Sequence, residues 1–436
     1  MPLRNTLALL ATLLVVIAAR FYYVETYAIP LPFWDQWDAE GDYLLRPWIE
    51  GRLEWHNLWQ NHNEHRIFPT RLLSLLIFSI TGVWDNLVEA RVNIFIAACI
   101  PLIILVFLSK QKALFGFRWL ILVVIVAQFS LLFAFENLFV GFQSQFYFLI
   151  IFTLLALILS ALYPDNWLAM CGVLACSWLC VFTMASGILT PLAALGVFVL
   201  QAIRRGKIGW QHGVVAVLLL ATAWEGYEIM PKIEANHVFR ARNLGEIFTA
   251  LRYFLAWPVS KSWPAATALW IPAIAMVPWL LRKKQLSRAD LVMAGCVMWS
   301  LAQAFALSYG RGQEIGSVSS RYSELFTLGL VGNAWFAARF MEISGKWQFA
   351  WLGAVFFVVF VMGHITRRNS DLRAVEQVYG QSLKQERNVK RYLQTNDPSA
   401  LVQPQFEIPY PDSVRLRTLL DDPTIRSILP GYLTGK

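Results

Sequence analysis

Long apolar runs recur from one end of the chain to the other, and short polar segments separate them. The runs at 119–135, 146–163, 167–185 and 347–363 carry no charged residue and are long enough to cross about 30 Å of hydrocarbon as helices. A helix satisfies all its backbone hydrogen bonds internally, as the bilayer interior requires. The pattern therefore predicts an all-α, polytopic membrane protein.

Composition agrees with this class. Of 436 residues, 57% are hydrophobic and 15% charged, which is typical of a chain surrounded mostly by lipid. The net charge of +9 requires no nucleic acid, because membrane lipids and a substrate phosphate account for it. The cysteines lie in apolar runs without the paired spacing of a metal site, which predicts inert packing residues at Cys99, Cys171, Cys176, Cys180 and Cys296.

Basic residues predict the orientation, because Lys and Arg collect in short loops on the cytoplasmic side. Clusters fall at 110–118, 204–207 and 282–288, and Arg4 precedes the first apolar run, which we interpret as an uncleaved anchor. All of them lie inside if the chain crosses the membrane eleven times. The predicted crossings are 5–23, 92–109, 118–135, 142–163, 167–185, 188–203, 210–229, 264–281, 289–308, 322–342 and 347–363.

Residues 24–91 form one long outer loop in this scheme. Residues 67–82 are apolar enough for a twelfth crossing, but that crossing would reverse every basic cluster. We therefore expect a juxtamembrane or partly inserted helix there. The predicted organisation is a transmembrane catalytic domain at 1–363 and a small charged periplasmic tail at 364–436, with a short helix at 413–420.

The outer loop begins with a polar island, where an integral membrane enzyme would keep its chemistry. Asp35 stands between Trp34 and Trp37, so partial desolvation could raise its pKa toward that of a useful general base. Capping of a helix over 37–49 is the alternative role. Asp38 lies one turn later and could share a metal ion with Asp35 or simply face water.

The island continues with His62, Glu64 and His65. Their His-x-Glu-His spacing is not the helical His-Glu-x-x-His signature of metalloproteases. We expect hydrogen bonds to a sugar or an acceptor, with a divalent metal as the alternative. Arg66 and Arg71 flank the entry to the next apolar segment, where reaching toward lipid headgroups is sufficient explanation, although Arg66 could also help hold a phosphate.

The loop at 309–322 offers a phosphate site. It is rich in Gly and Ser, so it can expose backbone N–H groups, and Arg311 and Arg321 can fork onto phosphate oxygens beside Tyr322. Glu136, Asn137 and Gln143 interrupt the apolar pattern at another outer junction. Polar groups at membrane depth either line a cavity or pair with one another, so a substrate-facing role and a helix–helix hydrogen bond both remain open.

With these residues in place, the layout resembles the C-type, lipid-linked-sugar-dependent glycosyltransferases and bacterial membrane proteins of surface-polysaccharide gene clusters. The resemblance rests on an N-terminal helix, an early Asp in a long first loop, Asn63-Glu64-His65-Arg66, the Pro-containing helix entry 66–72, and Arg91 at the next span. It implies a GT-C-like fold with a catalytic cavity at the outer leaflet of the bacterial inner membrane.

The resemblance also implies the substrates. A polyprenyl-phosphate sugar would enter from the bilayer and a glycan or lipid-linked acceptor from the periplasm. Asp35 matches the carboxylate that deprotonates the acceptor, while Arg311 and Arg321 would hold the departing phosphate and give an inverted product. The usual Asp-x-Asp or Asp-Glu pair is replaced by Asp35-Gln36-Trp37-Asp38, which leaves metal dependence open, and a single Pro69 replaces a double proline.

Other classes remain open at this point. A lipid-linked oligosaccharide transporter and an O-antigen polymerase or ligase also combine many helices with outer-face arginines. A transporter would need no carboxylate beside its phosphate site. A noncatalytic scaffold of the cell envelope would explain the charged tail but not the polar island.

Overall fold

The protein is almost entirely helical. The computed structural model describes residues 3–111, 114, 116–206, 209–313, 316–344 and 347–435, except for the side chains of residues 3–5 and 347–349. Helices account for 80% of the structure, and no strand occurs within these ranges. The predicted all-α class is confirmed.

Each predicted crossing coincides with a helix. The main helices are α1 Leu3–Tyr27, α2 Phe68–Thr81, α3 Asn86–Ser109, α4 Arg118–Ser130, α5 Ser144–Leu162, α6 Trp167–Val181, α7 Leu189–Arg205, α8 Trp210–Glu228, α9 Leu244–Ala256, α10 Trp263–Arg282, α11 Arg288–Gly310, α12 Thr327–Ser344, α13 Trp347–Thr395, α14 Ser413–Asp421 and α15 Pro423–Ile428.

Eight helical segments of the described chain are long and apolar enough to cross a membrane, which confirms a multi-pass protein. They are Thr6–Tyr27, Asn86–Ser109, Arg118–Phe139, Gly141–Leu162, Ala185–Arg205, Trp263–Arg282, Arg288–Gly310 and Ala350–Thr395. The other three predicted crossings, α6, α8 and α12, are helices of 15, 19 and 18 residues. The number eleven stays a prediction.

Local sequence signals set several of these helix ends. Asp85 accepts hydrogen bonds from the backbone N–H groups of Leu87 and Val88 and so caps α3. Ser287 and Asp290 form a reciprocal capping box at the start of α11. Polar residues between apolar runs therefore cap helix ends, where backbone groups would otherwise be unpaired.

The centre of the bundle is the contact between α11 and α12. Every residue from Thr327 to Ala338 is buried. A Cβ on Gly332 would lie 2.7 Å from the carbonyl oxygen of Met293, so only glycine permits this approach of the two backbones. Close packing explains how α12 sits among other helices rather than in lipid.

The basic clusters share one end of the bundle. Helix α7 begins beside His65 and ends at Arg205, which pairs with Asp165 at 2.8 Å. Helix α11 begins with Arg288 at that same end, where the guanidinium donates to the carbonyl oxygen of Leu162, itself the last residue of α5. The helix then runs to Gly310 at the opposite end. The polar island and the basic loops thus lie at opposite ends.

Helix α2 lies, over its whole length, at the end of the bundle that carries the polar island. Its first N–H, from Phe68, donates to the carbonyl oxygen of Phe182, and Ser74 in its middle donates to Glu40. Just beyond its end, Trp84 donates to Ile428 in the tail. The helix has 14 residues, about 21 Å at 1.5 Å per residue, and its partial insertion stays a prediction.

The tail is continuous with the membrane domain and then folds back. Helix α13 runs for 49 residues and passes without a break through residues 363 and 364, where the sequence suggests a domain boundary. Beyond it, Phe406 stacks on Trp34 with ring centroids 5.3 Å apart, and the Trp34 N–H donates to the carbonyl oxygen of Pro409. Helix α14 matches the short helix predicted at 413–420.

Apolar packing fixes the tail on the first loop. Trp37, Leu45 and Trp84 from the loop share a buried cluster with Leu416 and Ile425 from the tail. Burial of large apolar side chains from two distant segments is the main source of such docking. The tail thus contacts the polar island, as expected for an appendage of that face.

Candidate functional site

The site centres on Asp35 and the turn that carries the histidines. His62 and His65 exchange two backbone hydrogen bonds of 2.7 and 2.9 Å, and Asn63 adopts a left-handed conformation with φ of 50° to close the turn. The turn places His62 Nε2 3.6 Å from Asp35 Oδ2. The ring of His62 also packs edge-on against Phe142, which fixes its orientation.

The charge state of Asp35 differs from the sequence prediction. Burial by itself would raise the pKa of the Asp35 carboxyl, but the contact with His62 and the electrostatic fields of His62, Arg321 and His65 outweigh it and hold that pKa below its usual value. The expected upward shift is therefore wrong. The helical segment expected over 37–49 is present as Trp37–Leu45 and Arg46–Ile49, but no side-chain hydrogen bond caps its first turn.

His65 is held as a neutral imidazole. Its Nδ1 accepts a hydrogen bond of 3.2 Å from the backbone N–H of Ala185, which places the ring proton on Nε2. Burial lowers the pKa of His65 to about 4. The ring therefore offers an N–H donor rather than a positive charge at neutral pH.

A cavity of about 390 Å³ opens beside His65, between the turn and the ends of α8 and α11. We call it the cationic cavity because Lys232, Arg240 and Arg311 line it, together with His237. Apolar side chains line the rest of its wall, among them Met184, Ile188, Leu189 and Leu307. Fixed cations beside an apolar wall suit an anion that carries a hydrocarbon chain.

The predicted substrate-binding residues near the cationic cavity differ in whether they line it. Arg311 lines the cavity and lies 5.0 Å from the ring of Phe239, and Tyr322 also lines it. Arg321 lies over the Tyr322 ring at 5.1 Å and acts on Asp35 through its charge. Glu64 lines the cavity too, but its Oε1 accepts a 3.0 Å hydrogen bond from Asn236.

Glu136 and Asn137 hold the segment that carries Arg321. Glu136 Oε2 accepts hydrogen bonds from the hydroxyls of Ser319 and Ser320, at 3.0 and 2.5 Å, and from the backbone N–H of Arg321 at 3.0 Å. Asn137 Nδ2 donates to the Arg321 carbonyl oxygen at 2.9 Å. Of the two roles left open by the sequence, both residues take the hydrogen-bonding one, and Glu136 in addition lines a second cavity.

A buried ion pair also holds the segment that carries Arg321. Arg20 Nη2 lies 2.8 Å from Glu324 Oε1, and the two side chains are only 5% and 4% exposed. Arg20 also donates to Tyr147, whose hydroxyl donates to the carbonyl oxygen of Asn137. The sequence interpretation missed this role, although an arginine inside an apolar segment was the available signal.

Two other predicted residues serve the fold instead. Asp38 Oδ1 lies 3.0 Å from the Arg415 guanidinium, and its Oδ2 accepts from the Tyr410 hydroxyl, so it fixes the tail and not the Asp35 site. Arg66 donates to the carbonyl oxygens of Trp59 and Ile229 at 2.8 and 3.0 Å. Because these contacts use its guanidinium, the suggested help with a phosphate is not supported.

Two further predictions concern Gln143 and a bound metal ion. Gln143 Oε1 accepts a 3.2 Å hydrogen bond from its neighbour Gln145 at the start of α5, and the residue lines neither of the two cavities described here. Within the described ranges, no group of three or more His, Cys, Asp or Glu side chains is arranged to hold a metal ion. A metal shared by Asp35 and Asp38 therefore has no formed site.

The second cavity, of about 560 Å³, lies between the first loop and the extension of α13. Phe33, which precedes Trp34-Asp35, lines it together with Glu136 and Phe406. Gln377 and Gln381 line it from α13. Aromatic rings and amides are the groups with which a protein binds polar ring compounds.

A buried pair of carboxyl groups was also missed. Glu40 and Glu89 are 1% and 4% exposed, and the amide of Gln36 donates to both at 2.9 and 3.1 Å. Ser74 and Trp84 donate to Glu40 as well. Burial raises the pKa of Glu40, which favours a protonated carboxyl that can bond to its neighbour.

These features define an all-α, multi-pass membrane protein with a polar site at one end of its helical bundle. Comparison with known families, with curated proteins and with solved structures finds no match. Function has to be argued from the site itself.

Proposed function

We propose that the protein is a membrane glycosyltransferase. It moves a sugar from a polyprenyl-phosphate donor to a glycan or lipid-linked acceptor on the periplasmic side of the bacterial inner membrane. One observation carries the proposal: Asp35 Oδ2 lies 3.6 Å from His62 Nε2, in the turn that also carries His65, and His65 lines a cavity that combines cations with an apolar wall. The field of Arg321 also reaches the Asp35 carboxylate, so an acid and cations lie in the same region of the site.

The reaction needs a carboxylate at the acceptor hydroxyl and cations at the leaving phosphate. The acceptor hydroxyl attacks the anomeric carbon and gives its proton to the Asp35 carboxylate, while the bond between that carbon and the phosphate oxygen breaks. The polyprenyl phosphate leaves with the electron pair of that bond. Arg311 lines the cavity that would hold it, and Arg321 adds its charge, so the departing anion is stabilised. Attack from the side opposite the phosphate gives an inverted anomeric product.

The lowered pKa of Asp35 fits this role in the free enzyme. A base must be ionised before it can accept a proton, and the contact with His62, together with the field of Arg321, lowers the pKa of the Asp35 carboxyl and so favours its ionised form. A bound donor phosphate would neutralise part of that field. The proton affinity of Asp35 would then rise when the substrate is present, which is when a stronger base is useful.

Orientation is inferred from the basic clusters. Arg205 and Arg288 lie at the end of the bundle opposite Asp35. Because Lys and Arg concentrate on the cytoplasmic side, the Asp35 end would face the periplasm. The second cavity, which Phe33 lines two residues before Asp35, would then be the place where a periplasmic acceptor enters.

Turnover by the purified protein tests the proposal. The protein is reconstituted in liposomes with undecaprenyl phosphate carrying a radiolabelled hexose and with a periplasmic glycan extract as acceptor. We expect release of undecaprenyl phosphate and labelled glycan whose anomeric configuration, read by NMR, is opposite to that of the donor. Movement of intact donor across the bilayer without cleavage would instead identify a transporter.

A further inference from the structure

One buried side chain in the cationic cavity has no hydrogen-bond partner among the residues that the structure describes. Gln303 of α11 lines this cavity and is 0% exposed, yet neither its Nε2 nor its Oε1 makes a hydrogen bond within the part of the chain that the structure describes. The hydroxyl of Ser186, across the cavity in the turn before α7, is likewise buried without a partner there. Most buried polar groups in proteins are paired, so two unpaired groups facing one cavity require an explanation.

The chemistry of these groups differs from that of the cations nearby. The Gln303 amide offers two donors and an acceptor, the Ser186 hydroxyl offers one donor and two lone pairs, and His65 presents its Nε2–H. This uncharged mixture of donors and acceptors matches sugar hydroxyls. Arg311, by contrast, suits a phosphate.

The spacing along α11 separates the two kinds of group. Gln303 lies eight residues before Arg311, about 12 Å at 1.5 Å per residue. A sugar joined to a phosphate, together with its hydrogen bonds to the two side chains, can cover such a distance, with the ring toward Gln303 and the phosphate toward Arg311. His65 lines the same cavity and pairs through its backbone with His62, whose Nε2 lies 3.6 Å from Asp35, so a ring held there is near the proposed base.

We propose that Gln303 and Ser186 bind the hydroxyl groups of the sugar ring of the lipid-linked donor, and so contribute to the choice of sugar. The inference rests on the proposed function for the identity of the donor. The binding itself can be measured without turnover.

The test compares two ligands that differ only by the sugar. Protein in nanodiscs is titrated with undecaprenyl phosphate and with the same lipid carrying glucose, galactose, mannose or N-acetylglucosamine. We expect the wild type to bind at least one sugar-bearing lipid at least tenfold more tightly than the bare lipid. Gln303→Leu should abolish that preference, keep the affinity for the bare lipid, and leave the thermal stability of the unliganded protein unchanged or higher, because an unpaired amide is removed.

A buried glutamine elsewhere provides the matched control. Gln201 of α7 is 2% exposed, but its amide donates to the carbonyl oxygens of Ser160 and Ala161 at 3.0 and 2.9 Å. Gln201→Leu should lower the unfolding temperature, because it leaves paired carbonyls unsatisfied, and should retain the preference for the sugar.

The outcomes separate the two proposals. Three results would overturn the inference. In the first, Gln303→Leu loses affinity for the bare and the sugar-bearing lipid equally, and in the second it lowers the unfolding temperature but keeps the sugar preference. In the third, the wild type binds no sugar-bearing lipid better than the bare one. A sugar preference that depends on Gln303, in a protein that transfers no sugar, would support the inference and refute the transferase. Turnover that Gln303→Leu leaves unchanged would refute the inference alone.

Discussion

Replacement of Asp35 by Asn is the most direct perturbation of the proposed reaction. Asparagine keeps the size of the side chain and can still contact His62, but it cannot take a proton from the acceptor. The Asp35 side chain is 40% exposed and lies 3.6 Å from His62, so the lost ion pair should change the free energy of unfolding by less than about 1 kcal/mol. The fold should therefore survive the change.

The effect on turnover should be much larger than the effect on folding. A positioned general base contributes about 100-fold to 10,000-fold in rate. At about 1.36 kcal/mol for each factor of ten, Asp35→Asn should raise the activation barrier by at least about 2.7 kcal/mol. Because the donor phosphate would bind elsewhere, at the cationic cavity, the donor KM should change little.

Radiolabel transfer in liposomes measures both parameters, and Asp38→Asn is the matched control. Asp38 lies three residues away but contacts Arg415 and Tyr410 of the tail. Its replacement should lower the unfolding temperature and change kcat only a few-fold. If Asp35→Asn retains more than a tenth of wild-type kcat, or if Asp38→Asn is the more damaging change, Asp35 is not the base.

Three further changes test the supporting structure. Glu136→Ala removes three hydrogen bonds to the segment carrying Arg321, so kcat/KM should fall at least about tenfold, whereas Glu136→Gln, which keeps an acceptor oxygen, should recover part of it in the same transfer assay. Arg415→Met breaks the pairs with Asp38 and Asp42, so limited proteolysis should cut the tail beyond Thr395 faster than in wild type; unchanged cleavage would argue against this docking. Burial raises the pKa of Glu40 above its usual value of 4.5. The protonated carboxyl therefore stabilises the fold fully below pH 4.5, and this stabilisation is lost as the pH rises through the pKa of Glu40 in the folded state. Glu40→Gln should therefore flatten the fall in unfolding temperature between pH 5 and 9, and an identical pH profile would contradict the raised pKa.

Much of the helical framework is predictable from sequence. The apolar runs at 146–163 and 347–363 lie in α5 and α13, because length and hydrophobicity decide locally whether a segment can be a membrane helix. The expectation that α2 is partly inserted rests on charge placement rather than on its own composition. The end of α13 was not predictable, because helix continuation past residue 363 depends on how the tail docks.

The site shows the same division at the level of single side chains. The sequence by itself determined that the long apolar runs are helical and that Asp35, His65 and Arg311 belong near one end of the bundle, since each follows from where those runs stop. Only the tertiary structure decided that Asp35 has a lowered pKa, that Asp38 binds the tail, and that Gln303 faces a cavity without a partner among the described residues. A charge environment and an unpaired amide depend on groups from distant helices, and hydrophobic periodicity along one segment carries no information about them.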